Sequence, residues 1–183
     1  TISGLYINDE KKSVVGLFRA TGTHSVIKNV GIIDSYFRAY QHVAGICGSN
    51  GGVIDNCFSA ATCAVSIGGV GGIVSWNGGT ISNCYNVGKI TGSFHGSICA
   101  NNGTTTNCYY LEGTDDRGVY YYGTGETVMK TASQFASGEV AWLLNGSEAG
   151  KNPAWRQTLG EDEYPVLDNT HGIVHCGYNA CTP

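Results

Sequence analysis

The feature that most constrains this chain is a repeat that keeps its phase. Ile27-Lys28-Asn29-Val30, Ile54-Asp55-Asn56-Cys57, Ile81-Ser82-Asn83-Cys84 and, more weakly, Thr105-Thr106-Asn107-Cys108 follow one another at intervals of 27, 27 and 24 residues. A second marker runs in step with the first, as Gly16-Leu17-Phe18, Gly45-Ile46-Cys47, Gly72-Ile73-Val74 and Gly96-Ser97-Ile98. Two markers sharing one phase identify a repeat architecture. A unit of this size cannot bury its apolar face alone, so the units must stack.

Each unit contains short alternating runs, such as Gly72 to Trp76 and Ile81 to Tyr85, separated by Asn-Gly or Gly-Gly pairs. These read as strands of about five residues with corners between them. Such a unit matches one coil of a parallel β-helix, in which equivalent residues stack in columns about 4.8 Å apart. The crossover preference makes it right-handed. The expected fold is therefore all-β, a right-handed parallel β-helix (solenoid) of about four coils over residues 1–122.

The alignment predicts four inward columns: Val30, Cys57, Cys84 and Cys108; Ile27, Ile54 and Ile81; Phe18, Cys47, Val74 and Ile98; and Tyr36, Cys63 and Ile90. Asn29, Asn56, Asn83 and Asn107 form a polar column, expected as an amide ladder at one corner. Asn50-Gly51, Asn77-Gly78 and Asn102-Gly103 mark another corner, where positive φ is expected. The first coil, residues 2–23, is degenerate, with Gly4-Leu5 in place of Asn-Cys, as terminal repeats usually are. The segment from Tyr109-Tyr110 through Tyr120-Tyr121-Tyr122 stays strand-like but loses the phase.

After Gly125 the period becomes helical. Thr131 with Gln134 forms a capping box, and Phe135, Val140, Ala141, Leu143 and Leu144 supply an apolar stripe ending at Asn145-Gly146. These residues predict one helix over about 132–145, then a terminal strand from Gly172 to Tyr178. Residues 123–183 thus read as a small α+β module that caps the solenoid, where exposed strand edges need cover.

Charge supports a boundary in this region. Residues 1–111 carry six Lys/Arg and four Asp/Glu, whereas residues 112–183 carry four and ten. With a net charge of −4 and no Lys/Arg cluster, no nucleic-acid partner is expected, because phosphates demand a basic face. No apolar run approaches the roughly 18 residues of a membrane span, so this stretch is not expected to insert in a membrane. Thr1 opens inside a repeat rather than in a charged leader, which reads as a piece of a larger protein.

The residues GGIVSWNGGTISNCYNVGKITG, positions 71–92, resemble the GLUG motif, a repeat of bacterial secreted and cell-surface proteins, including adhesin-like proteins and regions of bacterial IgA-specific metallopeptidases. The likeness covers residues 40–110 closely and 1–39 loosely. TASQFASGEVAWLLNG and the following WRQTLGEDEYPVLD resemble the module that often follows such repeats in surface proteins of gut anaerobes. The resemblance implies an extracellular, multidomain parent and a β-solenoid. It brings no active-site residue with it.

Between Lys11 and Leu111 the acidic residues are Asp34 and Asp55, in different phases, so a paired-carboxylate glycosidase or a calcium-dependent lyase site is not expected. Gly-x-Ser-x-Gly and His-Glu-x-x-His are absent, and His24, His42 and His95 read as rim residues. The stacked cysteines read as free buried thiols, because Cβ atoms about 4.8 Å apart exceed the roughly 3.8 Å a bridge prefers. His171, His175, Cys176 and Cys181 have metal-ligand types, but a frayed strand or a Cys176–Cys181 bridge explains them as well. No cofactor or metal site is therefore expected.

Aromatic side chains suited to stacking on sugars are Trp76, Tyr85, Tyr109 and Tyr110. Tyr85 follows an inward cysteine and should face out. Trp76 alternates with Val74 and belongs either inside or at a corner. The expected function is a non-catalytic structural or adhesive module whose partner is a host or bacterial surface glycan or protein. The alternative is an accessory carbohydrate-binding region of a secreted glycan-active enzyme or protease.

Overall fold

The computed structural model describes residues 1–183 apart from Asn102, Ala149, Lys151 and Asn179. The Asn102 half of the expected Asn102-Gly103 corner lies outside the described residues. The chain forms two compact units, Thr1–Met129 and Lys130–Pro183.

The first unit is a parallel β-solenoid of about four turns. Strands from successive coils pair laterally into four sheets among the described residues. The first sheet stacks Ile2–Ser3, Val26–Ile33, Val53–Ser59, the pair Thr80–Ser82 and Tyr85–Asn86, Thr104–Leu111 and Thr124–Lys130. The second stacks Tyr6–Asp9, Tyr36–Ala39, Thr62–Val65 and Ile90–Thr91. The third contains Val14–Val15, His42–Ala44, Gly69–Gly71 and Phe94–Gly96. The fourth contains Phe18–Ala20, Cys47–Asn50, Val74–Asn77, Cys99–Asn101 and Val119–Tyr121. Because Thr124–Lys130 pairs with Thr104–Leu111, the solenoid unit runs to Met129 rather than to residue 122. That last strand lacks the Ile-x-Asn-Cys marker, so the repeat does not reveal it.

The Ile and Asn-Cys columns stand as expected. Ile27 pairs with Ile54, Ile54 with Ile81, and Ile81 with Thr105. Asn29, Asn56, Asn83 and Asn107 all have left-handed backbones, with φ of 57, 49, 51 and 52°. This conformation explains the motif. In a straight strand residues i and i+3 face opposite sides, and the left-handed residue between them turns the chain so that both Ile54 and Cys57 enter the core. Asn is the residue that tolerates it, since αL costs most L-residues about 1–2 kcal/mol.

The expected amide ladder is present between Asn107 and Asn83, where Asn107 Nδ2 donates to Asn83 Oδ1 at 2.8 Å, but positive φ is not found at Asn50-Gly51 or Asn77-Gly78, where it was expected. Positive φ falls at the Asn29 column, whereas Asn50 and Asn77 have ordinary φ and form the buried ladder. Asn50 Nδ2 donates to Asn77 Oδ1 at 2.7 Å, and Thr21 Oγ1 donates to Asn50 Oδ1 at 2.7 Å. Each amide also closes on its own chain, Asn77 accepting from Gly79 N and donating to Gly79 O, both at 3.2 Å. Gly79 is required by close stacking rather than by φ. A Cβ there would lie 1.9 Å from the Gly52 carbonyl oxygen. Gly103 does have positive φ, +84°.

Two further columns shift by one residue. In the second sheet Phe37, not Tyr36, shares the inward column with Ile7, Cys63 and Ile90. Coil two holds one extra residue, absorbed at the left-handed Asp34 (φ 46°), and with a period of two a one-residue slip exchanges the faces. Tyr36 instead stacks on Tyr6, with ring centroids 5.3 Å apart. In the fourth sheet Cys99, not Ile98, pairs with Val74, and Ile98 joins Ile46 and Ile73 in a neighbouring buried column. Coil four is shortened only at corners, before Phe94 and before Thr104, so the register between those cuts differs from the overall interval. Phe18 pairs with Cys47 but is 41% exposed, having a neighbouring coil on one side only. Gly4, next to the Ser3–Ile33 pair, shares the phase of Asp34 rather than of the Asn column, and both are left-handed.

Cys47, Cys57, Cys63, Cys84, Cys99 and Cys108 are free and buried. Their sulfurs return hydrogen bonds to nearby carbonyls, as Cys84 Sγ does to Ser82 O at 3.0 Å. Burial pushes the Cys63 and Cys99 thiols up to about 12, so they behave as small apolar side chains.

In the second unit the predicted single helix is two, Ala132–Ala136 and Glu139–Leu144. The break is Gly138 at φ +86°, where a Cβ would meet Leu159 Cδ2 at 2.7 Å. The capping box at Thr131 and Gln134 is present. Phe135 is buried and meets Tyr164 edge-on at 5.5 Å. The terminal strand is a short antiparallel pair, His175–Cys176 with Cys181–Thr182, closed by a Cys176–Cys181 disulfide. The disulfide removes those two cysteines from any metal array.

Candidate functional site

A groove of about 510 Å³ crosses the coils where the third sheet passes into the fourth. Register builds it. His42, Gly69 and Phe94 lie on successive rungs of the third sheet. In the fourth sheet Ser49, Trp76, Asn101 and Tyr121 occupy successive rungs, and Ala100 and Tyr120 precede the last two. Gly69 leaves the floor open, since a Cβ would already stand 3.1 Å from Ser75 Oγ and 3.2 Å from Ala100 Cβ.

The groove is aromatic, and among the described residues its lining has no Asp, Glu, Lys or Arg. Phe94 is 48% and Tyr121 49% exposed, and Tyr120 sits between them, its ring edge-on to Phe94 at 5.6 Å. Arg117 lies over the Tyr120 ring at 4.9 Å. Asn101 Oδ1 is buried and has no hydrogen-bond partner among the described residues. An orphaned acceptor costs about 1–3 kcal/mol, which a ligand hydroxyl or amide would recover. No carboxylate is among the described residues that line the groove.

His42 Nδ1 lies 3.3 Å from Ser75 Oγ, the spacing of a nucleophile and its base. The pair is not arranged for that chemistry. Ser75 is buried and its hydroxyl already donates to Gly69 O at 2.8 Å, which casts His42 as the donor to Ser75. Burial holds the His42 imidazole below its usual range, hence neutral.

The four aromatic candidates divide. Trp76 is 42% exposed and stands one rung from Asn101 and two from Tyr121, on the same column but next to the groove rather than in its lining. Tyr85, expected to face solvent, is 1% exposed: it lies in a column with Gly31, Phe58 and Tyr109, its ring parallel to Phe58 at 5.1 Å. Tyr109 and Tyr110 are also buried. Alternation told which side Tyr85 takes but not that the column stacks there. Phe94, Tyr120 and Tyr121 were missed, because Phe94 follows its partner Gly69 after 25 residues and the coil holding Val119–Tyr121 follows its predecessor after only 20, from Cys99 to Val119. The exposed tyrosine cluster was the available signal.

What the fold and this groove define is a repeat solenoid with a lateral aromatic cleft. Compared with family models, curated proteins and solved structures, the chain matches none.

Proposed function

We propose that this chain is a non-catalytic adhesive module of a larger bacterial secreted or cell-surface protein, working outside the cell, and that its groove holds a surface glycan. The observation that carries the reading is the rung sequence Trp76, Asn101, Tyr121. Two exposed aromatic faces about 10 Å apart flank an acceptor without a donor. Sugars present apolar faces and hydroxyl edges, and this arrangement answers both. The likeness of residues 71–92 to the GLUG motif supports the bacterial surface setting. The lack of carboxylates along the described groove, together with the committed Ser75 hydroxyl, supports binding without bond cleavage.

The same groove favours a second reading, an accessory carbohydrate-binding region of a secreted glycan-active enzyme or protease. A glycan array probed with the purified chain tests the shared element. Trp76→Ala and Tyr121→Ala should each weaken the best ligand by about 2 kcal/mol, roughly thirtyfold. Absence of any glycan signal, or binding unchanged in both variants, would overturn the reading. Turnover of the bound glycan by the chain alone would overturn the non-catalytic part.

A further inference from the structure

Beside the groove, but outside it, His95, Asp115 and Asp116 bring their donor atoms within 4.8 Å of one another. His95 is the middle residue of the Phe94–Gly96 strand, and the turn after Leu111 delivers the two aspartates to it. His95 Nδ1 stands 2.8 Å from Asp115 Oδ1, which also accepts from Asp116 N at 2.7 Å. The other oxygen, Asp115 Oδ2, has no partner among the described residues, although the side chain is only 1% exposed. A cavity of about 400 Å³ opens on these three residues, walled by Ile90, Thr91 and Thr114.

A buried carboxylate with one oxygen unsatisfied is costly, and Arg117 does not relieve it. Arg117 is spent on Asp116, its Nε and Nη2 each 2.9 Å from a carboxylate oxygen. From the orphaned oxygen and the converging donors we infer that His95, Asp115 and Asp116 form a binding site for a first-row divalent transition ion, with zinc its representative.

The donor set decides the class. One imidazole nitrogen and two carboxylates suit zinc and its neighbours, whereas calcium favours oxygen alone and more of it. Ligand atoms on a tetrahedral ion at about 2.0–2.2 Å lie about 3.4 Å apart, so the donors, which now lie within 4.8 Å of one another with His95 Nδ1 and Asp115 Oδ1 at 2.8 Å, reach that spacing by side-chain adjustments of up to about 1.4 Å. Binding replaces the His95–Asp115 hydrogen bond, the imidazole proton residing on Nε2. Asp116 exchanges Arg117 for the ion. Both side chains of that pair are largely exposed, so the exchange costs little. Remaining coordination positions go to water.

Calorimetric titration of the full chain with zinc chloride at neutral pH tests this. One ion should bind per chain and raise Tm. Asp115→Asn and His95→Gln should each weaken binding by at least about tenfold while far-UV circular dichroism stays unchanged. Asp116→Asn, at an exposed side chain, keeps the test decisive if Asp115→Asn fails to fold. His171→Gln, at the unrelated His171–Asp162 pair, should bind zinc as the unaltered chain does. No binding up to millimolar zinc, binding unchanged in the His95 and Asp116 variants, or loss in the His171 variant would each overturn the site. An equal calorimetric response to calcium would overturn the transition-ion assignment.

Discussion

At the scale of single residues, the most informative positions are the asparagines whose backbone conformation other residues resist. Asn56 has φ 49° at the turn that sends both Ile54 and Cys57 inward. Asn56→Ala should therefore lower unfolding free energy by about 1–2 kcal/mol, whereas Asn56→Gly should come close to the parent. Urea denaturation compares the three, and equal loss in both variants would place the role in the amide instead. Asp55, one position earlier, links folding to pH. Partial burial alone would raise its carboxyl, but the Lys28 ammonium at 2.9 Å and donors from Ser82 and Asn83 hold it below the ordinary value. A depressed folded-state value adds stability above the unfolded value of about 3.9, and that stability disappears as pH falls through the folded value. Tm should thus decline on acidification below about pH 4, and Asp55→Asn should flatten that decline.

At the scale of elements, the corners carry what the short strands cannot. Asn77 spends its amide on Asn50, on Gly79 N and on Gly79 O, wholly out of solvent. Replacing it with Leu strands a donor on Asn50 and the Gly79 N–H, while Gly79 O keeps Thr104 N. Asn77→Leu should cost about 1–3 kcal/mol in urea unfolding, with a negligible change excluding the ladder as a stabilising element. The two-helix segment shows the limit of periodicity. The apolar stripe through Phe135, Val140, Ala141 and Leu144 holds, yet Gly138 at φ +86° divides it. Glycine inside a helical pattern signals either a tolerated defect or a break. Here the positions of Leu159 and Val174, 2.7 and 2.8 Å from a would-be Cβ, decide.

At the scale of the whole molecule, a solenoid is close to one-dimensional, each coil meeting only its neighbours. Thr80 occupies the register of Val53, so a second copy of residues 53–79 placed directly after Gly79 continues every column in phase. The lengthened chain should unfold cooperatively with Tm equal to or above the parent, and failure to fold would show that the coils are not interchangeable. The Ile-x-Asn-Cys marker was enough to establish stacked parallel coils, the inward Ile and Cys columns and the free thiols, because each follows from a period that local sequence repeats. The face assignment failed at Tyr36, where the extra residue at Asp34 exchanges the sides of the strand, and around Ile98 the column partner shifted by one although Ile98 itself is inward as expected. The groove was beyond the sequence for the same reason. Trp76, Asn101 and Tyr121 stand at unequal intervals along the chain, and lateral hydrogen bonding between coils is what sets them on consecutive rungs. Local pattern determines which residues turn inward within a coil; the stacking of one coil on the next, a tertiary choice, determines which outward residues meet.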